Sequence, residues 1–217
     1  MLVSGNPDWL VPAGFDERRF ATLDVGEDKM RDAKYFAAID NEMDHGGREA
    51  LLDYLLKFNL STVNIREIPK TSALLDQKIS SLTAEQGWWL DVLSRGELPW
   101  GCAESGYCPA FRLFERYLRH ATKQGVKRRA IETKLGIFLT KHVPGLRKAD
   151  STYQRWAKAE GKMVDQRGSV YVFPSLAECR GTFEKAMQQP LAWDGREAWA
   201  SEPPPAAGED GGDDVPF

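Results

Sequence analysis

The sequence predicts a mixed α/β amino-terminal part, a mainly α winged-helix-like basic module and a disordered acidic tail. Apolar residues recur at helical spacing along most of the chain, interrupted by short extended stretches. Between Ser105 and Lys162 stand 14 Lys and Arg against 4 Asp and Glu, while the rest carries 15 basic and 28 acidic residues. From Ser201 onward come prolines, glycines and five acids, without a Lys or Arg. The boundaries that follow are 1–97, a linker over 98–107, the basic module over 108–195 and the tail over 196–217.

Read in order, Met1–Val3 closes a strand, and a loop with Pro7, Pro12 and Gly14 follows. Arg19–Val25, with Phe20, Thr22 and Leu23, reads as a second strand. Tyr35, Phe36, Ile39 and Met43 place a helix over 31–43, ended by Gly46-Gly47. The next helix, 48–58, is expected to turn Leu51, Leu52, Leu55 and Leu56 inward. Thr62–Ile65 reads as extended, and Pro69 precedes a third helix over 72–82. Thr83 and Gln86 fit a capping box, in which each side chain satisfies the other's backbone amide, so a fourth helix starts there and stops near Gly96. Trp89, Val92 and Leu93 form its apolar stripe.

Pro, Gly and Ser content marks 98–107 as linker. A helix then spans 109–122, with Leu113, Phe114, Tyr117 and Leu118 inward. Gly125 breaks the chain. The next helix, 128–142, points Ile131, Leu135, Phe138 and Leu139 inward and stops at Pro144-Gly145. Extended segments over 162–165 and 169–173 flank a turn at Gln166-Arg167-Gly168. Ser175 and Glu178 form a second capping box, opening a last helix that runs to about Met187. Two helices, a strand pair and a closing helix make the winged-helix-like order. The segment from Ser201 buries too little apolar surface to offset the entropy of ordering it.

Composition excludes several classes. With 42% apolar residues, the 217-residue chain fits a globular protein of one or two domains. No run approaches the ~20 apolar residues of a membrane span. The start has no basic region and no signal core, so a cytoplasmic protein without a membrane partner is expected. Cys102, Cys108 and Cys179 are odd in number, which argues against a disulfide framework. Cys102 and Cys108 lack the spacing and the companion Cys or His of a zinc site, so no metal is expected. His45, His120 and His142 have no triad context, and no Ser or Cys sits in a nucleophile elbow.

Two segments carry nucleotide chemistry as one reading. Ser4-Gly5-Asn6 ends an apolar strand, where an amide can both donate to a γ-phosphate and accept from its attacking water. Seen alone, Asn6 also fits an ordinary turn. In Asp16-Glu17-Arg18-Arg19-Phe20, a guanidinium at a strand edge can reach a neighbouring subunit's nucleotide. The plainer reading is a solvated salt-bridge cluster.

Taken in order, these segments resemble phage-type primase–helicases with a superfamily 3 helicase core. The likeness is carried by Asn6-Pro7-Asp8-Trp9, Val11-Pro12-Ala13, Asp16–Phe20 and Leu23-Asp24-Val25. It continues in Gly46–Leu52, in Tyr171–Arg180 and in Phe183 and Trp193, so it spans about residues 1–194 with gaps. It implies an α/β remnant of a AAA+-like ATPase core with a helical lid segment ahead of the basic module. Asn6 is then the sensor, and Arg18 or Arg19 the arginine finger across a subunit boundary. The implied assembly is a ring-forming homo-oligomer, typically a hexamer, on single-stranded or forked DNA. One departure is large: the chain contains no G-x-x-x-x-G-K-[ST]. ATP and Mg are therefore expected only where an upstream core, or a partner chain carrying the phosphate-binding loop, completes the site. The chain is then a fragment, an alternative start or half of a split protein.

The basic module has its own reading. Lys123, Lys127, Arg128 and Arg129 flank a turn into a helix, and Lys134, Lys141, Arg147 and Lys148 continue the pattern. Such an arrangement contacts phosphates, with Tyr153 and Trp156 available to stack on bases. Tyr117, Phe138 and Phe173 read as core. At the end, Asp213, Asp214, Val215, Pro216 and Phe217 are similar to the acidic tip of bacterial single-stranded DNA-binding proteins, which implies recognition by host replication or repair proteins. Two functions remain open: a part of a helicase motor, or a non-enzymatic DNA-binding replication adaptor.

Overall fold

The computed structural model describes residues 4–5, 13–15, 17, 19–64, 67–127, 129–157 and 162–203, with helices as the main element. α1 (Ala33–Glu42) opens on Asp32, whose carboxylate accepts the Tyr35 amide. A wide turn, Met43–Gly47, joins it to α2 (Arg48–Lys57), and Gly46 supplies the left-handed step at φ 100°. Neither helix buries a residue. The expected inward face is overturned: Leu52, Leu55 and Leu56 are 59, 58 and 78% exposed. Helical spacing decides which side of a helix is apolar, but another element must arrive to cover it. Among the described residues none does.

Arg19–Val25 forms no strand. Its residues favour extended backbone, but a strand also needs a hydrogen-bonded neighbour. Here Thr22 instead offers its carbonyl to the Thr71 hydroxyl. The segment expected to be extended at 62–65 begins as a short 3₁₀ turn, Leu60–Thr62, because the Asn59 side chain accepts the Ser61 amide; Ile65 lies outside the described residues.

α3 (Ser72–Ser80) is capped by Thr71. α4 (Ala84–Arg95) starts at the expected box, with Thr83 N donating to Gln86 Oε1 at 2.9 Å and Gln86 N to Thr83 Oγ1 at 3.3 Å. It stops at Gly96, in the left-handed region at φ 62°. The stretch read as linker is built into the body: β1 (Glu97–Leu98) and α5 (Cys102–Ser105) lie in it, and Leu98 and Cys102 are buried. Its glycines and prolines serve tight turns between packed elements.

β2 (Cys108–Pro109) leads into α6 (Ala110–Lys123), then α7 (Glu132–His142). β3 (Arg147–Ala157) and β4 (Lys162–Val172) form one long antiparallel hairpin, and the sheet order is β2-β4-β3. The turn expected at Gln166-Arg167-Gly168 does not exist: β4 runs straight through it. Gly168 makes room for a neighbouring ring, since a Cβ there would stand 2.7 Å from the Tyr153 hydroxyl. β3 escaped sequence reading because its polar, charged start resembles a loop and its register is set by β4. α8 (Leu176–Met187) starts at the Ser175–Glu178 box, and β5 (Ala200–Ser201) pairs in parallel with β1.

The chain through Glu202 is therefore packed, where disorder was expected from residue 196. Trp199 lies 6.3 Å from Trp89 between ring centroids, and Glu202 pairs with Arg116 at 2.9 Å. Residues 204–217 lie outside the described part. One core unites Trp88 and Trp89 of α4, Tyr117 of α6, Leu139 of α7, Tyr171 of β4 and Phe183 of α8. Each fully buried large apolar side chain contributes about 1.5–3 kcal/mol. Ile131, expected inward, is 62% exposed, because α7 begins one residue later than it and turns Leu135 and Leu139 to the core.

Candidate nucleic-acid interface

α7 carries the most distinctive surface of the basic module. Leu135 and Leu139 bury one side of it. Lys134, Ile137 and Lys141, three and four residues apart, share the other side and are exposed. Thr133 flanks them, also exposed. Ile137 is 64% exposed, an apolar side chain in a row of solvent-facing ammonium groups.

The turn before α7 is held rather than loose. The Tyr117 hydroxyl, buried on α6, accepts the Ala130 amide at 2.9 Å. Arg129 is half-buried and donates from Nε to the Val126 carbonyl at 3.3 Å. Lys123 and Lys127 project from the same turn into solvent. The N-cap residue of α7, Ile131, makes no side-chain bond to the helix's first amides. Such amides suit an anionic oxygen.

Behind α7 stands the hairpin. Gly136 lets the two approach, for a Cβ there would come within 2.6 Å of the Tyr171 hydroxyl. Lys148 is directly opposite Tyr171 and so shares its face, toward α7. Arg147, one residue earlier, points to the other face. The register thus separates two cations that the sequence grouped together. Arg128 lies outside the described residues, as do Asn6, Arg18 and Asp213, Asp214, Val215, Pro216 and Phe217.

Charge pairing also sorts the basic residues. Among the described residues, Lys123, Lys127, Lys134, Lys141, Arg147 and Lys148 make no ion pair. Arg116 and Arg119 share Glu202 at 2.9 and 3.3 Å. Burial lowers the pKa of Arg116, while Glu202 acts against that shift. These two arginines anchor the carboxy segment and leave the module's field weaker than its composition implied. Tyr153 is buried and stacks on Phe111 at 5.3 Å, so it is no free platform for a base. Trp156 stands in β3 opposite Met163, with its side chain outside the described part.

Arg19 is the one described member of the expected nucleotide set. Its side chain is exposed and pairs with Glu17 at 3.2 Å. Among the described residues no group of three His, Cys, Asp or Glu gathers to hold a metal, and no helix is long and apolar enough to cross a membrane. A depression of about 720 Å³ along α8 is lined by Pro144, Pro174, Glu178 and Lys185 among others. Its carboxylate, Glu178, already serves as the cap of α8.

No protein-family model, curated protein or solved structure matches this chain. The exposure of Ile137 and Thr133 beside Lys134 and Lys141 was missed in the sequence, although both stand off the buried 135/139 stripe. The separation of Arg147 from Lys148 had no local signal at all.

Proposed function

We propose that this chain is the DNA-engaging carboxy-terminal part of a phage-type primase–helicase, with α7 and the β3–β4 hairpin as its nucleic-acid face. The observation that carries the reading is the exposed α7 row of Lys134, Ile137 and Lys141 beside Thr133. Ammonium groups meet phosphates, a hydroxyl meets base edges, and an apolar side chain meets the thymine methyl. The succession β2, α6, α7, β3, β4, preceded by α4 and the short β1 and α5, with sheet order β2-β4-β3 supports a winged-helix arrangement, in which the second helix of the pair enters the major groove. The unpaired lysines supply counterion release on binding.

Titration of a labelled duplex with the full chain tests this. Lys134→Glu with Lys141→Glu is expected to weaken binding at least about 10-fold, since each reversal replaces attraction by repulsion at a phosphate. Lys34→Glu with Lys70→Glu, of equal charge change elsewhere, is expected to act far less. Equal losses from both pairs would remove the assignment to α7.

In the helicase reading, Asn6 and Arg18 or Arg19 complete a nucleotide held by a chain with a phosphate-binding loop. The adaptor reading rests on the basic face alone, which binds phosphates without a nucleotide site. Joined to a loop-bearing core, Arg18→Ala with Arg19→Ala abolishes DNA-stimulated ATP hydrolysis under the first reading and leaves it unchanged under the second.

A further inference from the structure

The end of the hairpin where Arg155 stands opposite Val164, far from the Arg147–Val172 pair, carries a second constellation, apart from α7. Trp100, in the turn between β1 and α5, is 46% exposed. The Arg112 guanidinium, from the first turn of α6, lies 5.6 Å from its ring centre and 6.0 Å from that of Phe111. Arg155 of β3 lies 4.7 Å from the Phe111 ring centre. Aromatic and guanidinium planes thus follow one another across three elements.

The set is fixed in place. Arg112 donates from Nη1 to the Trp100 carbonyl at 2.7 Å and from Nη2 to the Gln154 carbonyl at 3.4 Å. Phe111 rests on the buried Tyr153 ring. Arg155 donates to Gln166 Oε1 at 3.3 Å. Unlike Arg116 and Arg119, neither Arg112 nor Arg155 pairs with a carboxylate among the described residues. Both charges are held against rings.

We propose that Trp100, Arg112 and Arg155 form a stacking site for the unpaired bases of a single nucleic-acid strand. Every base has a π-face, so an exposed indole accepts any of them, while guanidinium groups meet the phosphates between. Little ordering entropy is left for the guanidinium groups to lose, because Arg112 is already tied to two backbone carbonyls and Arg155 to the Gln166 side chain. The inference rests on the DNA-binding reading and adds a path for the strand leaving the duplex. Tyr153 and Arg155 alternate with Lys148 along β3, so they occupy the hairpin face away from α7. Duplex on one face and single strand on the other places the hairpin at the junction between them.

The test compares a blunt duplex with the same duplex bearing a single-stranded overhang of roughly eight nucleotides, a length typical of such sites. The full chain binds the overhang form about 10-fold tighter, as expected for one or two stacked bases. Trp100→Leu brings it to the blunt level without changing blunt affinity, and Trp100→Phe keeps the preference. A wild-type chain that binds blunt duplex without an overhang preference overturns the proposal, as does a preference that survives Trp100→Leu. If Trp100→Leu also loses blunt binding, Arg155→Gln, on the exposed strand, decides, and an unchanged preference overturns the proposal. No binding of either DNA overturns the α7 reading itself.

Discussion

The Tyr117 hydroxyl and the Ala130 amide, thirteen residues apart and both buried, meet at 2.9 Å. Through this bond the core fixes the turn that carries Lys127 and Arg129 and aims α7. Tyr117→Phe keeps the ring and leaves the amide unsatisfied. The expected loss is about 1–3 kcal/mol, read by denaturant unfolding. A smaller loss, under about 0.5 kcal/mol, means that the amide finds water or another acceptor.

Gly136 and Tyr171 make a second checkable contact. At an open helix position Gly→Ala stabilises by about 1 kcal/mol. At 136 the new methyl would meet the Tyr171 hydroxyl at 2.6 Å. Gly136→Ala is therefore expected to destabilise by about 1–3 kcal/mol. Adding Tyr171→Phe removes the clashing oxygen and recovers most of the loss, a coupling that thermal unfolding of the four variants measures.

Arg180 ties the end of α4 to the carboxy segment. It donates to the Leu93 carbonyl at 2.8 and 3.0 Å and to the Arg196 carbonyl at 2.7 Å. Arg180→Met keeps much of the packing and strands these acceptors, at an expected cost of about 2–4 kcal/mol. Proteolysis near Trp199 should rise in the same variant, because β5 loses its anchor.

Cys179 sets a pH dependence. Burial pushes its thiol from 9.0 to about 12, with Glu178 nearby adding to the shift. The folded chain thus keeps a proton that the unfolded chain releases above the ordinary thiol value. Its share of stability is complete below 9.0 and falls as pH rises toward about 12. The slope from this group is at most about 1.4 kcal/mol per pH unit. Cys179→Ala should flatten the alkaline limb of a stability–pH curve, and a curve of unchanged slope speaks against a buried thiol.

What the sequence disclosed was local. Thr83 with Gln86, Ser175 with Glu178 and the left-handed Gly96 are codes written within four residues, and the structure follows them. The basic row on α7 was visible as Lys134 and Lys141 at helical spacing. Long-range facts were not. Gly168 reads as a turn until Tyr153 is known to lie across it, and β3 has no identity apart from β4. The apolar sides of α1 and α2 were correctly seen as apolar, but their exposure depends on what packs there. Trp100 and Arg155 are 55 residues apart in number yet belong to one surface, which no spacing rule reveals.

The most direct test of the DNA-binding account is the salt dependence of duplex affinity, measured by fluorescence anisotropy from about 50 to about 200 mM salt. Each phosphate contact adds nearly one unit to the slope of log affinity against log salt. The account predicts that Lys134→Ala with Lys141→Ala weakens binding and reduces that slope by about two units. A double variant that binds with the wild-type affinity and slope would contradict it.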